Sequence, residues 1–170
     1  HLTQRPIPGA DASLPHVLTP EQVYEGKKAV GKRVLIVNYD PYYTAPSIAE
    51  KYARAGHEVT VATVPGLAAY MEYTLEGPNV QRTLRELGVK IIGETGCSRV
   101  EEGRVELFDV WADGYKREYK GTGHLPRREN SSHYWHECDT VILVTSRRSE
   151  DTLFRELKAL EAAHPELVTP

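Results

Sequence analysis

Residues 33–63 have the spacing of a nucleotide-binding β-α-β unit that has lost its glycines. Such a unit places G-x-G-x-x-G between its first strand and its helix, so that bare backbone N–H groups meet a pyrophosphate at the helix N-terminus. Here the segment reads Asn38-Tyr39-Asp40-Pro41-Tyr42-Tyr43-Thr44-Ala45, and it is two residues longer than the usual turn. Counted back from Gly56, the glycine positions fall on Asp40, Tyr42 and Ala45. Alanine is tolerated at the third. Tyrosine at the second would fill the space where the pyrophosphate must approach backbone. At the end of the second strand, where an acid would hold a ribose 2′-hydroxyl, the chain has Thr63. No Arg or Lys follows between Val64 and Tyr73 to hold a 2′-phosphate. Asn38, Asp40, Tyr42, Ala45 and Thr63 therefore outline a vestigial nucleotide cleft, expected to stand unoccupied. Were binding to persist, the helix N-terminus at Ala45 to Ser47 would supply the N–H groups and the partial positive charge.

Other chemistry-bearing residues are weaker signals. His133, His136 and Cys138, with His124 nearby, have a spacing that could ligate a metal, but no fourth ligand is suitably placed and Cys138 opens a strand. No metal site is expected. Ser131 and Ser132 beside His133 are not read as a nucleophile, because sequence neighbours rarely point at each other. No catalytic residue is expected. Tyr39, Tyr42, Tyr43, Tyr70 and Tyr73 crowd two loops at one end of the sheet. They form either a stacking surface for a ring or a neighbouring domain, or a plug for the vacated cleft. The plug is the favoured reading, and it requires Tyr42 to be shielded from solvent. Arg127-Arg128 and Arg147-Arg148 are too few for a nucleic-acid footprint, and Arg147 is read as a contact to a sister domain.

These residues are carried on a regular frame. Val34 to Val37 reads as a buried strand, residues 46–55 as a helix stopped by Gly56, and 58–62 as a second strand. A helix over 78–87 with Pro78 in its first turn and a strand over 89–92 complete a β-α-β-α-β half, necessarily a right-handed parallel sheet. Ser98–Glu102, Arg104–Val110 and Tyr115–Lys120 then read as a three-stranded antiparallel meander, with turns at Glu102-Gly103 and Asp113-Gly114. Residues 121–136 read as a polar loop. Thr140 to Val144 reads as an interior parallel strand. Residues 149–162 read as an amphipathic helix with Ser149 as N-cap and Leu153, Phe154, Leu157 and Leu160 turned inward. Residues 1–31 lack periodicity apart from a short helix after Thr19-Pro20-Glu21-Gln22, a capping-box pattern that Gly26 ends. They are read as a connector with no partner in the chain.

Composition fits this frame. The chain has 170 residues, 40% hydrophobic and 26% charged, enough for one domain with an ordinary core. A net charge of −3 argues against nucleic acid and against an anionic membrane surface. No apolar run approaches the ~18 residues that span a bilayer. Two cysteines far apart, without CxxC, point to reduced thiols and a cytoplasmic setting.

The order of elements resembles the NAD(P)H-binding domain of glutathione-reductase-type flavoproteins. Arg5-Pro6-Ile7-Pro8-Gly9, Ala55-Gly56-His57-Glu58-Val59-Thr60 and the strand end Val141 to Arg148, with Ser146 in place of a glycine, support it. More specifically, Leu18 to Val23, Ala45 to Lys51, Tyr70 to Glu76 and Ser131 to Trp135 resemble the trimethylamine, dimethylamine and histamine dehydrogenase family over essentially the whole chain. That resemblance implies a parent with a (β/α)8 barrel carrying FMN and a 4Fe-4S cluster, an ADP- or FAD-type domain, and electron transfer to an electron-transferring flavoprotein. The FMN and cluster cysteines of the family would lie outside this chain, and no cofactor is expected on it. The fold expected is α/β: a Rossmann-like three-layer domain over 32–165, a parallel sheet with an inserted meander, with 1–31 as interdomain linker. Its function would be that of a degenerate, non-catalytic NAD(P)H-binding-like domain packed on the remaining domains of its parent. The alternatives are a live NADH domain of a dienoyl-CoA-reductase-type oxidoreductase and an adenine-nucleotide binding module.

Overall fold

The computed structural model describes residues 7–64, 66–71, 73–110, 133–145 and 151–164. A five-stranded parallel sheet forms the centre. Its strands are β1 (Val17–Leu18), β2 (Arg33–Asn38), β3 (Glu58–Thr63), β4 (Lys90–Ile92) and β8 (Thr140–Val144), in the order β1-β8-β2-β3-β4. A three-stranded antiparallel sheet, β5 (Thr95–Glu101), β6 (Arg104–Asp109) and β7 (His133–Glu137), lies on one face. On the other face lie α1 (Pro20–Glu25), α2 (Thr44–Arg54) and α3 (Gly77–Glu86).

The three layers follow from strand alternation, since successive side chains point to opposite faces. Val34, Ile36, Val61 and Ile142 face the helices and pack with Ile48, Ala49 and Leu84. Leu35, Val37, Ala62 and Val141 face the meander and pack with Cys97, Val100, Val105 and Leu107. Because both faces of β2 and β8 are covered, both read as unbroken apolar runs. This is the expected α/β architecture.

Four local expectations need correction. First, residues read as a connector without a partner supply β1, whose Val17 and Leu18 are fully buried and pair with Val141 and Ile142. This segment is fastened at several points. The Lys28 ammonium donates to the carbonyls of Ala12, Leu14 and Val17, and Val100 N–H donates to Pro8 O at 2.9 Å. Gly9 is required there: a Cβ on it would sit 2.0 Å from the Val100 carbonyl oxygen. A two-residue strand has no period to detect. Second, β7 begins inside 121–136, the stretch read as a polar loop, and runs one residue past it; Tyr134 and Trp135 are strand formers, and β6 supplies the pairing partner. The strand expected at Tyr115–Lys120 lies outside the described residues. Third, α2 begins at Thr44 and not at 46, because Pro46 fits the third helical position, where its missing N–H would have had no intrahelical acceptor. Fourth, α4 (Thr152–Ala163) forms with Asp151 and not Ser149 at its N-cap position, and Leu153, Phe154, Leu157 and Leu160 are exposed, not turned inward. Ser149 itself lies outside the described residues. The period fixes a helix; it cannot tell which partner its stripe awaits.

α1 forms as its sequence indicates. Thr19 Oγ1 accepts from Gln22 N–H at 3.4 Å, Gln22 Oε1 accepts from Thr19 N–H at 3.1 Å, and Gly26 ends the helix at φ +66°.

Candidate functional site

The sheet order reverses direction between β2 and β8: β3 lies on one side of β2 and β8 on the other. The crevice outside the carboxyl ends of two such strands is where open α/β sheets bind ligands. A cleft of about 630 Å³ lies there. Tyr39, Asp40 and Pro41 line it from the turn after β2, Thr44 from the start of α2, and Leu143 to Thr145 from the end of β8 and the residue after it. Its far wall, Ala10, Ala12, Thr19, Pro20 and Glu21, comes from the N-terminal segment. Sequence reading missed that wall. The capping box located a helix start there but gave no sign of what it faces.

The turn after β2 is closed on itself. Asn38 is fully buried; its Nδ2 donates to Thr63 Oγ1 at 3.0 Å and its Oδ1 accepts from Asp40 N–H at 3.0 Å. Asp40 Oδ1 in turn accepts from Tyr42 N–H at 2.9 Å. Two backbone donors of the kind a phosphate turn offers are thus taken by side-chain oxygens, one of them anionic. Pro46 removes a further donor from the first turn of α2. No lysine or arginine among the described residues lines the cleft.

The structure therefore joins Asn38, Thr63 and Asp40 in one hydrogen-bonded chain, with Asp40 at the cleft wall. Ala45 is buried in the helix-side core, filling the close helix–strand contact that the third glycine makes in a binding turn. Tyr42 overturns the plug: it is 53% exposed and does not line the cleft. Its ring meets Tyr70 edge-on at 5.3 Å, and Tyr70 N–H donates to Pro41 O at 3.2 Å, tying together the loops that follow β2 and β3. Tyr43 donates to the Glu76 carboxylate, which raises the pKa of its phenol. Tyr73 is exposed. Tyr39 alone is built into the fold: its hydroxyl accepts from Cys97 N–H at 3.1 Å, and burial pushes its pKa up.

The other candidates resolve as structural groups. His133 and His136 are three residues apart on β7 and so face opposite sides of the sheet, and His133 stacks on Phe108. Among the described residues no three His, Cys, Asp or Glu side chains gather as a metal site. Ser98 Oγ donates to Glu106 Oε2 at 2.6 Å, which lowers the pKa of that carboxyl. The His133 Nδ1 lies 3.4 Å from Ser98 Oγ and 3.5 Å from Glu106 Oε1. One nitrogen faces both partners, so the imidazole does not relay a proton between them as in a hydrolytic triad. Cys97 and Cys138 are buried and free, with thiols pushed up to about 12 by burial. His124, Ser131, Ser132 and the two arginine pairs lie outside the described residues.

A profile of the family described as "OYE-like second alpha/beta domain" matches residues 18–145. The dimethylamine dehydrogenase of Hyphomicrobium sp. (strain x) is 80% identical over 159 residues, 94% of this chain and 22% of that protein. Among solved structures, a 6-hydroxypseudooxynicotine amine oxidase from Pseudomonas geniculata N1 superposes at a TM-score of 0.75 with 29% identity, over 95% of this chain and 21% of its own. A histamine dehydrogenase from Rhizobium sp. 4-9 superposes at 0.73 with 28% identity, over 98% of this chain and 23% of its own. The chain thus spans under a quarter of the length of each of these three relatives.

Proposed function

The chain belongs to the family of OYE-like second alpha/beta domains, and from that premise we propose that it is a non-catalytic scaffolding domain of a flavin-dependent amine dehydrogenase. It keeps the layout of an NAD(P)H-binding domain without its ligand. The observation that carries this reading is the self-closed turn after β2. Asn38 and Asp40 occupy the N–H groups that a pyrophosphate would need, and the Asp40 carboxylate stands at the cleft wall, where it repels one.

On this reading the domain includes β1 from the N-terminal segment, and that segment also joins it to the preceding part of a longer cytoplasmic polypeptide. That polypeptide would carry FMN, a 4Fe-4S cluster and an ADP- or FAD-type domain, and would pass electrons to an electron-transferring flavoprotein. The present residues do not fit the cluster, which needs four thiolates: the chain has two cysteines, both buried and hard to ionise. No partner role for nucleic acid or membrane is proposed; no helix among the described residues is long and apolar enough to cross a membrane.

The open cleft favours a second reading, an adenine-nucleotide or live NADH site, because its volume falls within the ~300–1,000 Å³ of ordinary ligand pockets. Isothermal titration with ADP, NADH and NADPH separates the two. No heat up to millimolar ligand is expected. Saturable NADH binding would replace the scaffolding reading with a live reductase domain. Heat from ADP alone would mean a nucleotide site kept for architecture.

A further inference from the structure

We infer that α4 docks its apolar stripe into a hydrophobic groove elsewhere in the longer polypeptide, making it a helix that fastens one domain to another. The inference rests on the reading that this chain is one domain of an amine-dehydrogenase-like protein. Leu153, Leu157 and Leu160 recur at the i, i+4, i+7 spacing of one helix face, and Phe154 widens the stripe. They are 68%, 55%, 48% and, for Phe154, 61% exposed, and no residue of α4 is buried.

A helix of twelve residues is marginal in water without tertiary burial. Its own polar contacts do little to hold it. The N-cap residue makes no side-chain cap bond, and the pairs Arg155–Asp151 and Lys158–Glu161 are surface pairs of small worth. Four large apolar side chains in one stripe on such a helix mark an interaction face.

The occupant follows from length and charge. The 80% identical relative extends far beyond this chain, which spans 22% of it, so most of that polypeptide is available to form the groove. Arg155, Glu156, Lys158 and Glu161 sum to zero charge on the helix, which does not suit an anionic lipid surface. The partner is therefore an apolar protein surface.

The test grafts this chain into the Hyphomicrobium dimethylamine dehydrogenase in place of the matching 22% and follows backbone hydrogen exchange over 153–160. The same amides are followed in the 170-residue chain. Exchange in the graft should be slower by about a hundredfold or more than in the chain alone. Phe154→Asp with Leu157→Asp should abolish that difference while β2 and β8 amides stay protected, which separates lost docking from lost folding. Equal exchange in graft and chain would overturn the inference. Protection in the chain alone that rises with its concentration would also overturn it, by assigning the stripe to a second copy. A graft with α4 protected but no amine oxidation would count against the amine-dehydrogenase reading alone; an active graft with α4 unprotected would count against the docking alone.

Discussion

Replacing Asn38 by leucine tests the central claim, that the turn after β2 is held shut by its own side chains. Leucine roughly keeps the volume and removes both bonds, from Nδ2 to Thr63 Oγ1 and from Asp40 N–H to Oδ1. Each lost bond is worth about 1 kcal/mol, and a polar group stranded in the interior costs about 1–3 kcal/mol more. Thr63 is 1% exposed, so its hydroxyl gains little from water. The sum is a loss of about 3–5 kcal/mol. With a urea slope of about 2 kcal/mol/M, the unfolding midpoint should fall by about 1.5–2.5 M. Thr63→Val cuts only one end and should cost about 1–2 kcal/mol. The double variant should be milder than the sum, with a coupling of about 1 kcal/mol, because both changes delete the same bond. A midpoint shift below about 0.3 M for Asn38→Leu, or strict additivity in the cycle, would mean that these bonds do not hold the turn shut.

Three further outcomes are expected. At pH 8 the thiols of Cys97 and Cys138, pushed up to about 12 from the ordinary 9.0, should alkylate about a thousandfold slower than in the urea-unfolded chain; mass spectrometry of iodoacetamide adducts reads this, and equal rates would exclude buried, un-ionised thiols. Gly9→Ala should destabilise by about 2–4 kcal/mol because its Cβ would strike the Val100 carbonyl, whereas Gly26→Ala, at φ +66° with no heavy atom near, should cost about 1 kcal/mol. Equal midpoints for the two would mean that the N-terminal segment is not seated on β5. Asp139 accepts from the Arg33 guanidinium and backbone N–H, which hold its carboxyl below the ordinary 3.8. The folded chain then binds fewer protons than the unfolded one, so this stabilisation is complete above 3.8 and fades as pH falls through the lowered value. Asp139→Asn should flatten the acid limb of Tm against pH, and parallel limbs would argue against the pair.

The core of this fold was legible because its strands are buried on both faces. Val34 to Val37 and Thr140 to Val144 can hardly be read otherwise, and Gly56 and Gly88 mark the ends of α2 and α3. The missed parts depend on contacts remote in sequence. Val17–Leu18 is a strand only because β8 offers it an edge, and His133–Glu137 only because β6 does. The turn after β2 stands out in the sequence by its missing glycines, yet its hydrogen-bonded closure is invisible there, since Asn38 and Asp40 differ from glycine in what they bond and not only in their bulk. Tyr42 was misjudged because a side chain's direction follows from the turn's hydrogen bonds, which Asp40 sets.

The pairing of β1 with β8 also decides how the chain carries a pull. The two strands are parallel neighbours, with Val17 opposite Val141 and Leu18 opposite Ile142. Tension drawn from before β1 and from after β8 slides one strand along the other and loads their cross-links together, in place of peeling them one at a time. The Lys28 ammonium on the Val17 carbonyl ties β1 in addition to the chain just before β2. A stretch that reads like slack tether is thereby coupled to the sheet, and strain entering at β1 is passed to β8 through their shared hydrogen bonds.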